Sequence, residues 1–279
     1  MLEMIKFEHT LFALPFALAG MMLAAEGWPE ARVVGWILVA MVGARSAAMG
    51  FNRLVDRDID AANPRTRGRA LPAGLVSPGF VALFVAVSLA LLLVAAWRLN
   101  PLCLALAAIA IPVLLGYSYT KRFTAASHLV LGLALGGAPI GAWIAVRGEL
   151  APTPFLLAAV VVTWVAGFDV LYALQDLGFD RSAGLHSVPA RFGTVGALWI
   201  SALLHAATLA LLAALPVVYP PGLGVPFWVG FAGCVGLLGW QHAVLRPGDL
   251  SRLDAAFFNA NGLLAAWLFG SIAVDLLAG

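Results

Sequence analysis

Polar residues in this sequence fall in short clusters, and the stretches between clusters are apolar runs of about 20 residues. A helix of that length, rising ~1.5 Å per residue, crosses a hydrocarbon core ~30 Å thick. Nine such runs are expected to span a bilayer, at roughly 10–26, 32–55, 78–97, 101–119, 127–146, 154–175, 195–214, 225–244 and 256–277. They must be helical, because backbone groups in hydrocarbon have to be hydrogen-bonded within their own segment. Pro, Gly and charge mark the breaks, as at Gly27-Trp28-Pro29-Glu30, Asn100-Pro101 and Pro220-Pro221-Gly222. The first run begins near Leu11 and carries Pro15. No A-x-A cleavage site follows it, so it reads as an uncleaved membrane helix.

Composition agrees with the pattern. Of 279 residues, 62% are apolar and 11% charged, too little charge to cover a soluble domain of this size. One membrane domain over residues 1–279 uses the whole length. The net charge of +2 says less than where the charge sits. Lys6, Arg53, Arg57, Arg65, Arg67, Arg69, Lys121, Arg122, Arg181, Arg191, Arg246 and Arg252 belong to the N-terminus and the loops after helices 2, 4, 6 and 8. Only Arg32, Arg98 and Arg147 belong to the opposite loops, and Arg45 is left inside helix 2. The positive-inside rule makes the first set cytoplasmic. The expected location is the bacterial cytoplasmic (inner) membrane, with the N-terminus inside. Cys103 and Cys234 both fall in apolar runs and have neither disulfide nor metal-site spacing.

The acidic residues gather on the basic side. Asn52, Asp56 and Asp60 form N-x-x-x-D-x-x-x-D at the end of helix 2, a spacing that stacks them on one helix face. Aspartates at that spacing repel unless a cation joins them. Mg²⁺ suits such oxygen donors and takes one or two carboxylates together with substrate phosphates. A solvated, charge-decorated helix end is the plainer alternative, and Asp58, which points off the stripe, fits it. Downstream, Arg65, Arg67 and Arg69 alternate in a Pro/Gly-bounded loop, as a diphosphate grip or as topology signals. Lys121 and Arg122 end helix 4 and are open to the same two readings. The second cluster is Asp169, Tyr172, Asp176 and Asp180, spaced 3, 4 and 4 and so on one face as well. Asp169 and Tyr172 lie inside the apolar run, where a carboxylate marks a functional site by default. The four-helix separation of the two clusters hints at a parallel repeat, helices 1–4 and 5–8.

Arg45 sits about two turns deeper than Asn52 on a similar face. Its buried guanidinium calls for an anion: either Asp169 or the carboxylate of an aromatic acid substrate. The histidines carry little at this stage. His205 and His242 lie in or near apolar runs without a further ligand at metal spacing, while His9, His128 and His186 sit near loops.

The two acidic segments together resemble the motifs of the intramembrane UbiA prenyltransferase superfamily. Asn52, Asp56 and Asp60 match its first motif. Asp176-x-x-x-Asp180, preceded by Asp169 and Tyr172-Ala173, matches its second. The resemblance implies that Asn52, Asp56, Asp176 and Asp180 hold Mg²⁺ on a polyprenyl diphosphate, and Asp60 on the same stripe is expected to join them. It implies that Lys121 and Arg69 help grip that diphosphate, and that Arg45 lies near an aromatic acid; Arg65 and Arg122 are expected to share the first task and Tyr172 the second. Gly50-Phe-Asn-Arg-Leu-Val-Asp and Tyr172-Ala-Leu-Gln-Asp look most like the 4-hydroxybenzoate polyprenyltransferase branch. Gly184-Leu-His-Ser-Val-Pro-Ala-Arg-Phe-Gly193, with His186 where that branch has Lys, looks more like a sister group assigned to futalosine-route menaquinone synthesis. The acceptor there would be 1,4-dihydroxy-6-naphthoate.

The expectation is therefore an all-α polytopic protein, nine transmembrane helices around a cytoplasm-facing cavity. It would carry out Mg²⁺-dependent alkylation of an aromatic ring, with Asp56, Asp176 and Asp169 in the chemistry and Asp169 as proton acceptor. Its partners would be the two substrates and the lipid bilayer, with no nucleic acid and no obligate protein partner. A transporter with acidic gates would need carboxylates leading to both faces, and these cluster on one. A phosphatidyl-alcohol transferase would need a D-G-x-x-A-R element that this chain lacks.

Overall fold

The computed structural model describes residues 10–250, 252–253 and 255–278. Lys6 and His9 lie outside the described residues. The helices are α1 (Thr10–Ala25), α2 (Ala31–Val55), α3 (Arg57–Ala62), α4 (Pro78–Leu99), α5 (Pro101–Thr120) and α6 (Ser127–Arg147). They continue with α7 (Pro152–Tyr172), α8 (Leu177–Ser182), α9 (Val188–Val218), α10 (Val225–Val244) and α11 (Ala260–Ala278). A 3₁₀ turn over Ala173–Asp176 joins α7 to α8, and a π-helical turn over Ala255–Asn259 leads into α11. Among the described residues there is no strand, only an isolated bridge between Arg246 and Asp249. Among the described residues, eight helical segments are long and apolar enough to cross a membrane, and the shorter α1 makes a ninth apolar helix. This is an integral membrane protein with the all-α architecture expected.

Local chemistry sets most helix ends. Ser77 and Asn100 cap α4 and α5 by accepting the backbone N–H groups of Phe80 and Cys103. Pro78, Pro101 and Pro152 follow directly at the first helical position, where a missing N–H costs nothing. Gly148 closes α6 in the left-handed conformation (φ 70°).

Two boundaries differ from the expected ones, for backbone reasons. The seventh long helix begins at Val188, seven residues before its expected start, and bends at Gly193 (φ 70°, ψ −178°). Apolarity marks only the part beyond the bend. The acidic stripes are also not single continuous helices. α2 stops at Val55 and restarts as α3 after Asp56 (φ −91°, ψ 7°). α7 gives way to the 3₁₀ turn and restarts as α8 after Asp176 (φ −101°, ψ 3°).

Packing follows the two halves. α2 lies against α4 and α5, α7 lies between α6 and α9, and α1 joins α6 to α11. At Gly132 a Cβ would stand 2.5 Å from the Val162 carbonyl oxygen, so only glycine lets α6 and α7 approach this closely. The largest core cluster surrounds Trp164 and Phe168 on α7, with Phe257 from the π turn. It forms one wall of the site.

Candidate active site

The breaks in α2 and α7 bring the two acidic ends together across one cavity. About 290 Å³ in volume, it is lined from α2, α3, the loop after α3, α5, α6, α7, α8 and the turn before α11. Asn52, Asp56, Asp60, Asp169, Tyr172, Asp176, Asp180, Arg45, Arg65, Arg69 and Lys121 all reach it. Arg122 flanks it, its Nη2 donating to the Val55 carbonyl at 2.6 Å. Asp58 is exposed and off the cavity, as its spacing indicated.

Asp56 is buried. Its Oδ2 accepts from Lys121 Nζ at 2.7 Å and from Asn52 Nδ2 at 3.0 Å. Its Oδ1 is buried without a hydrogen bond among the described residues, with Arg122 Nη2 3.6 Å away. Asp60, one turn on, is also buried. It receives Arg69 Nη1 on both oxygens, at 2.7 and 2.9 Å, and Arg53 Nη1 stands 3.7 Å from Oδ2. On the opposite wall Arg65 forks onto Asp176. Nε donates to Oδ1 at 2.8 Å, Nη2 pairs with Oδ2, and Nη1 reaches the Tyr172 hydroxyl at 3.2 Å. Burial works against the Arg65 cation, but the hydrogen bonds and charge of Asp176 outweigh it and hold the pKa above the usual arginine value. Asn63 Nδ2 adds a bond to Asp176 Oδ1 at 2.9 Å, so the loop after α3 ties one acidic end to the other. Ser187 Oγ donates to Asp180 Oδ2 at 2.8 Å.

Asp169 takes its hydrogen bond from His128 Nδ1, at 2.7 Å. That corrects the small weight given to His128: near a loop as expected, on the first turn of α6, it is buried and lines the cavity. His205 and His242 pair with each other at 2.8 Å, away from the cavity. The side chain of His186 is exposed and does not line it; only its backbone N–H reaches the Lys121 carbonyl.

Asn63, His128, Ser187 and Phe257 were not among the residues expected here. Asn63 had a signal, its place between Asp60 and Arg65. The others meet the site only through folding, from positions 18 to 88 residues distant from Asp169. Phe257 stacks on Tyr172 (centroids 4.2 Å apart, planes at 31°) and meets Phe168 edge-on at 5.4 Å. These rings face the carboxylates as an aromatic wall.

Beyond Arg45 and Tyr117 the cavity meets an apolar chamber of about 200 Å³. α2, α4, α5 and α6 line it, largely with small residues such as Ala44, Ala96, Ala107 and Ala138.

A hard divalent cation fits the donor set. The acidic side chains offer oxygen only, and Asp56 Oδ1 is buried without a hydrogen bond among the described residues. Among the described residues no three acidic, His or Cys side chains are gathered into a ready-made ion cage. Each half of the site is instead neutralised by Lys or Arg.

The match to known proteins spans nearly the whole chain. Residues 13–263 match the model of the UbiA prenyltransferase family. The chain belongs to that family. A 4-hydroxybenzoate octaprenyltransferase of Cupriavidus necator is 37% identical over 256 residues, 91% of this chain and 88% of that protein. Among solved structures, the apo form of a UbiA homolog from Aeropyrum pernix K1 superposes with a TM-score of 0.87 at 35% identity. It covers 96% of this chain and 98% of its own. A UbiA homolog from Archaeoglobus fulgidus bound to DMAPP and Mg²⁺ has a TM-score of 0.74 at 21% identity, covering 98% and 99%, and shares the fold. This chain is thus a membrane prenyltransferase by family, and its two acidic ends face each other across one cavity.

Proposed function

We propose that this protein transfers a polyprenyl chain from its diphosphate to the ring of an aromatic acid, 4-hydroxybenzoate, in a Mg²⁺-dependent step of quinone biosynthesis. One observation carries the reading. A single cavity holds two Asp-x-x-x-Asp ends, a cluster of basic side chains, and a deep arginine at the mouth of an apolar chamber. The name of the Cupriavidus relative supports the acceptor.

Asn52, Asp56, Asp60, Asp176 and Asp180 would hold Mg²⁺. Bound there, the metal supplies charge neutralisation to a departing diphosphate. The cavity is already balanced, with carboxylates at Asp56, Asp60, Asp169, Asp176 and Asp180 facing Arg45, Arg53, Arg65, Arg69 and Lys121. A diphosphate adds negative charge that only further cations offset. A cation held by these carboxylates would supply that offset, and the basic residues would then change partners. Lys121, Arg122, Arg65 and Arg69, now paired with carboxylates, would be the groups that grip phosphate oxygens when those carboxylates hold the metal. The family homolog bound to DMAPP and Mg²⁺ supports that pairing.

The apolar chamber receives the prenyl tail and keeps water from the allylic carbon. The faces of Tyr172, Phe168 and Phe257 suit the positive charge that develops there. Arg45 holds the carboxylate of the acid, which sets the ring beside that carbon. As the ring attacks, the bond to the diphosphate breaks and its electron pair leaves with the diphosphate. Asp169 takes the proton the ring loses. The basic end of the bundle faces the cytoplasm in this reading, as its excess of Lys and Arg requires.

Membranes containing the protein, supplied with a polyprenyl diphosphate, Mg²⁺ and either 4-hydroxybenzoate or 1,4-dihydroxy-6-naphthoate, test the reading by mass spectrometry of the products. A prenylated 4-hydroxybenzoate that disappears on chelation is expected. A product from the naphthoate alone would move the acceptor to the other quinone route. No product from either acid would overturn the transferase reading.

A further inference from the structure

Three consecutive residues at the start of α9 reach three parts of the cavity. The His186 N–H donates to the Lys121 carbonyl (2.7 Å), Ser187 Oγ to Asp180 (2.8 Å), and the Val188 N–H to Nε2 of His128 (3.2 Å). Val188 is the first residue of α9, so its N–H has no partner inside the helix and needs one outside. An imidazole nitrogen that accepts an N–H carries no proton of its own. The ring proton of His128 is therefore on Nδ1, which donates to Asp169 Oδ2 at 2.7 Å, and the imidazole is neutral. His128 is 5% exposed, whereas about a quarter of the Asp169 side chain remains open. The two side chains thus differ in what they can offer a substrate.

We propose that His128 is a positioning residue of the transfer reaction. Anchored by the Val188 N–H, it fixes the Asp169 carboxylate in the orientation that receives the proton released by the aromatic acceptor. This role rests on the transferase reading above. In the step itself a ring carbon bonds to the allylic carbon while the carbon–oxygen bond to the diphosphate breaks, the electron pair leaving with the diphosphate. The ring C–H proton then passes to Asp169, the electron pair of that bond returns to the ring, and Asp169 later gives the proton to water. His128 does not take the proton, because its one lone pair is committed to Val188. It orients the acceptor oxygen and ties that orientation to the segment that also holds Asp180 and Lys121.

The test compares wild type with His128→Leu, His128→Asn and Val188→Pro in membranes, measuring kcat, both KM values and thermal unfolding. Leu removes the donor. Asn keeps an amide N–H close to the position of Nδ1. Pro at the first helical position removes the N–H that anchors Nε2 and keeps a buried apolar side chain there, and the extended Ser187 (φ −134°, ψ 161°) accepts a following proline. His128→Leu is expected to lower kcat about 10–100-fold, the usual cost of losing an orienting partner. The KM for the prenyl diphosphate stays unchanged, Asn restores most of the rate, and Val188→Pro falls in between. Wild-type kcat in His128→Leu would overturn the role. So would a loss that Asn does not restore and that tracks unfolding and both KM values together. Should His128→Leu fail to fold, Asn and Val188→Pro decide it in the same way: wild-type kcat in Val188→Pro overturns it. A wild type that prenylates no aromatic acid would overturn the transferase reading itself, an outcome distinct from an active wild type beside unaffected variants.

Discussion

At the scale of single residues, three carboxylates of the site are held by basic or amide groups: Asp56 by Lys121 and Asn52, Asp60 by Arg69, Asp176 by Arg65 and Asn63. Buried pairs of this kind add little net stability, because desolvation offsets attraction. Their use is readiness: both partners are charged and aimed at the space a metal–diphosphate would fill. Asp56→Asn and Asp176→Asn keep shape and remove charge. Product formation should fall by at least ~100-fold in each, as for loss of one group that stabilises developing charge. The amount inserted in the membrane should not change. Near-normal turnover in both would remove the metal assignment. Arg45→Leu should act differently, raising the KM for the aromatic acid about 10–100-fold, the worth of a hydrogen bond to a charged group. The KM for the prenyl diphosphate should hold; if it rose equally, Arg45 would not be the carboxylate contact.

At the scale of elements, the two acidic ends are built alike. In each a long helix stops, an aspartate takes a bridge-region conformation, and a six-residue helix follows that carries the second aspartate. This is a structural counterpart of the parallel repeat hinted at by the four-helix spacing, and its residue-level similarity is thin because only backbone shape and two aspartates are shared. Helix contacts hold the two ends at the right separation, and close contacts at glycine set how near α6 and α7 come. Gly132→Val should destabilise the protein by ~1–3 kcal/mol through overpacking against the Val162 backbone. Gly35→Ala, where a Cβ meets nothing within 4 Å, should leave stability unchanged or raise it by up to ~1 kcal/mol. Thermal unfolding in detergent reads both. Equal melting of the two variants would mean that the α6–α7 contact yields easily.

At the scale of the whole molecule, the polar cavity and the apolar chamber meet at Arg45 and Tyr117, so the reacting ends of both substrates are expected at that junction. The small side chains of the chamber leave room for a tail. Ala107→Phe should fill part of it and shift preference toward shorter prenyl donors, read by competing short and long diphosphates in one reaction. An unchanged product ratio would place the tail elsewhere. The direction of the bundle can be tested in the same membranes. A cysteine at exposed Asp58, in a chain with Cys103 and Cys234 replaced, should react with an impermeant thiol reagent only from the cytoplasmic side. Labelling from the opposite side would reverse the orientation.

Membrane spans, the two acidic motifs and Arg45 could be read along the chain because each is local. Apolar length sets a span, and an Asp at every fourth position sets a helix face whatever surrounds it. The stop of α2 at Asp56 and of α7 near Asp176 could not be read, since polar residues at a helix end fit a continuous helix and a broken one equally. Nor could the partners of the carboxylates. Asn63 meets Asp176 across 113 positions and His128 meets Asp169 across 41, distances over which side chains find each other only when the helices carrying them have packed. His128 carried no signal of its own: a histidine on the first turn of a helix is ordinary until the fold sets Val188 on one side of it and Asp169 on the other.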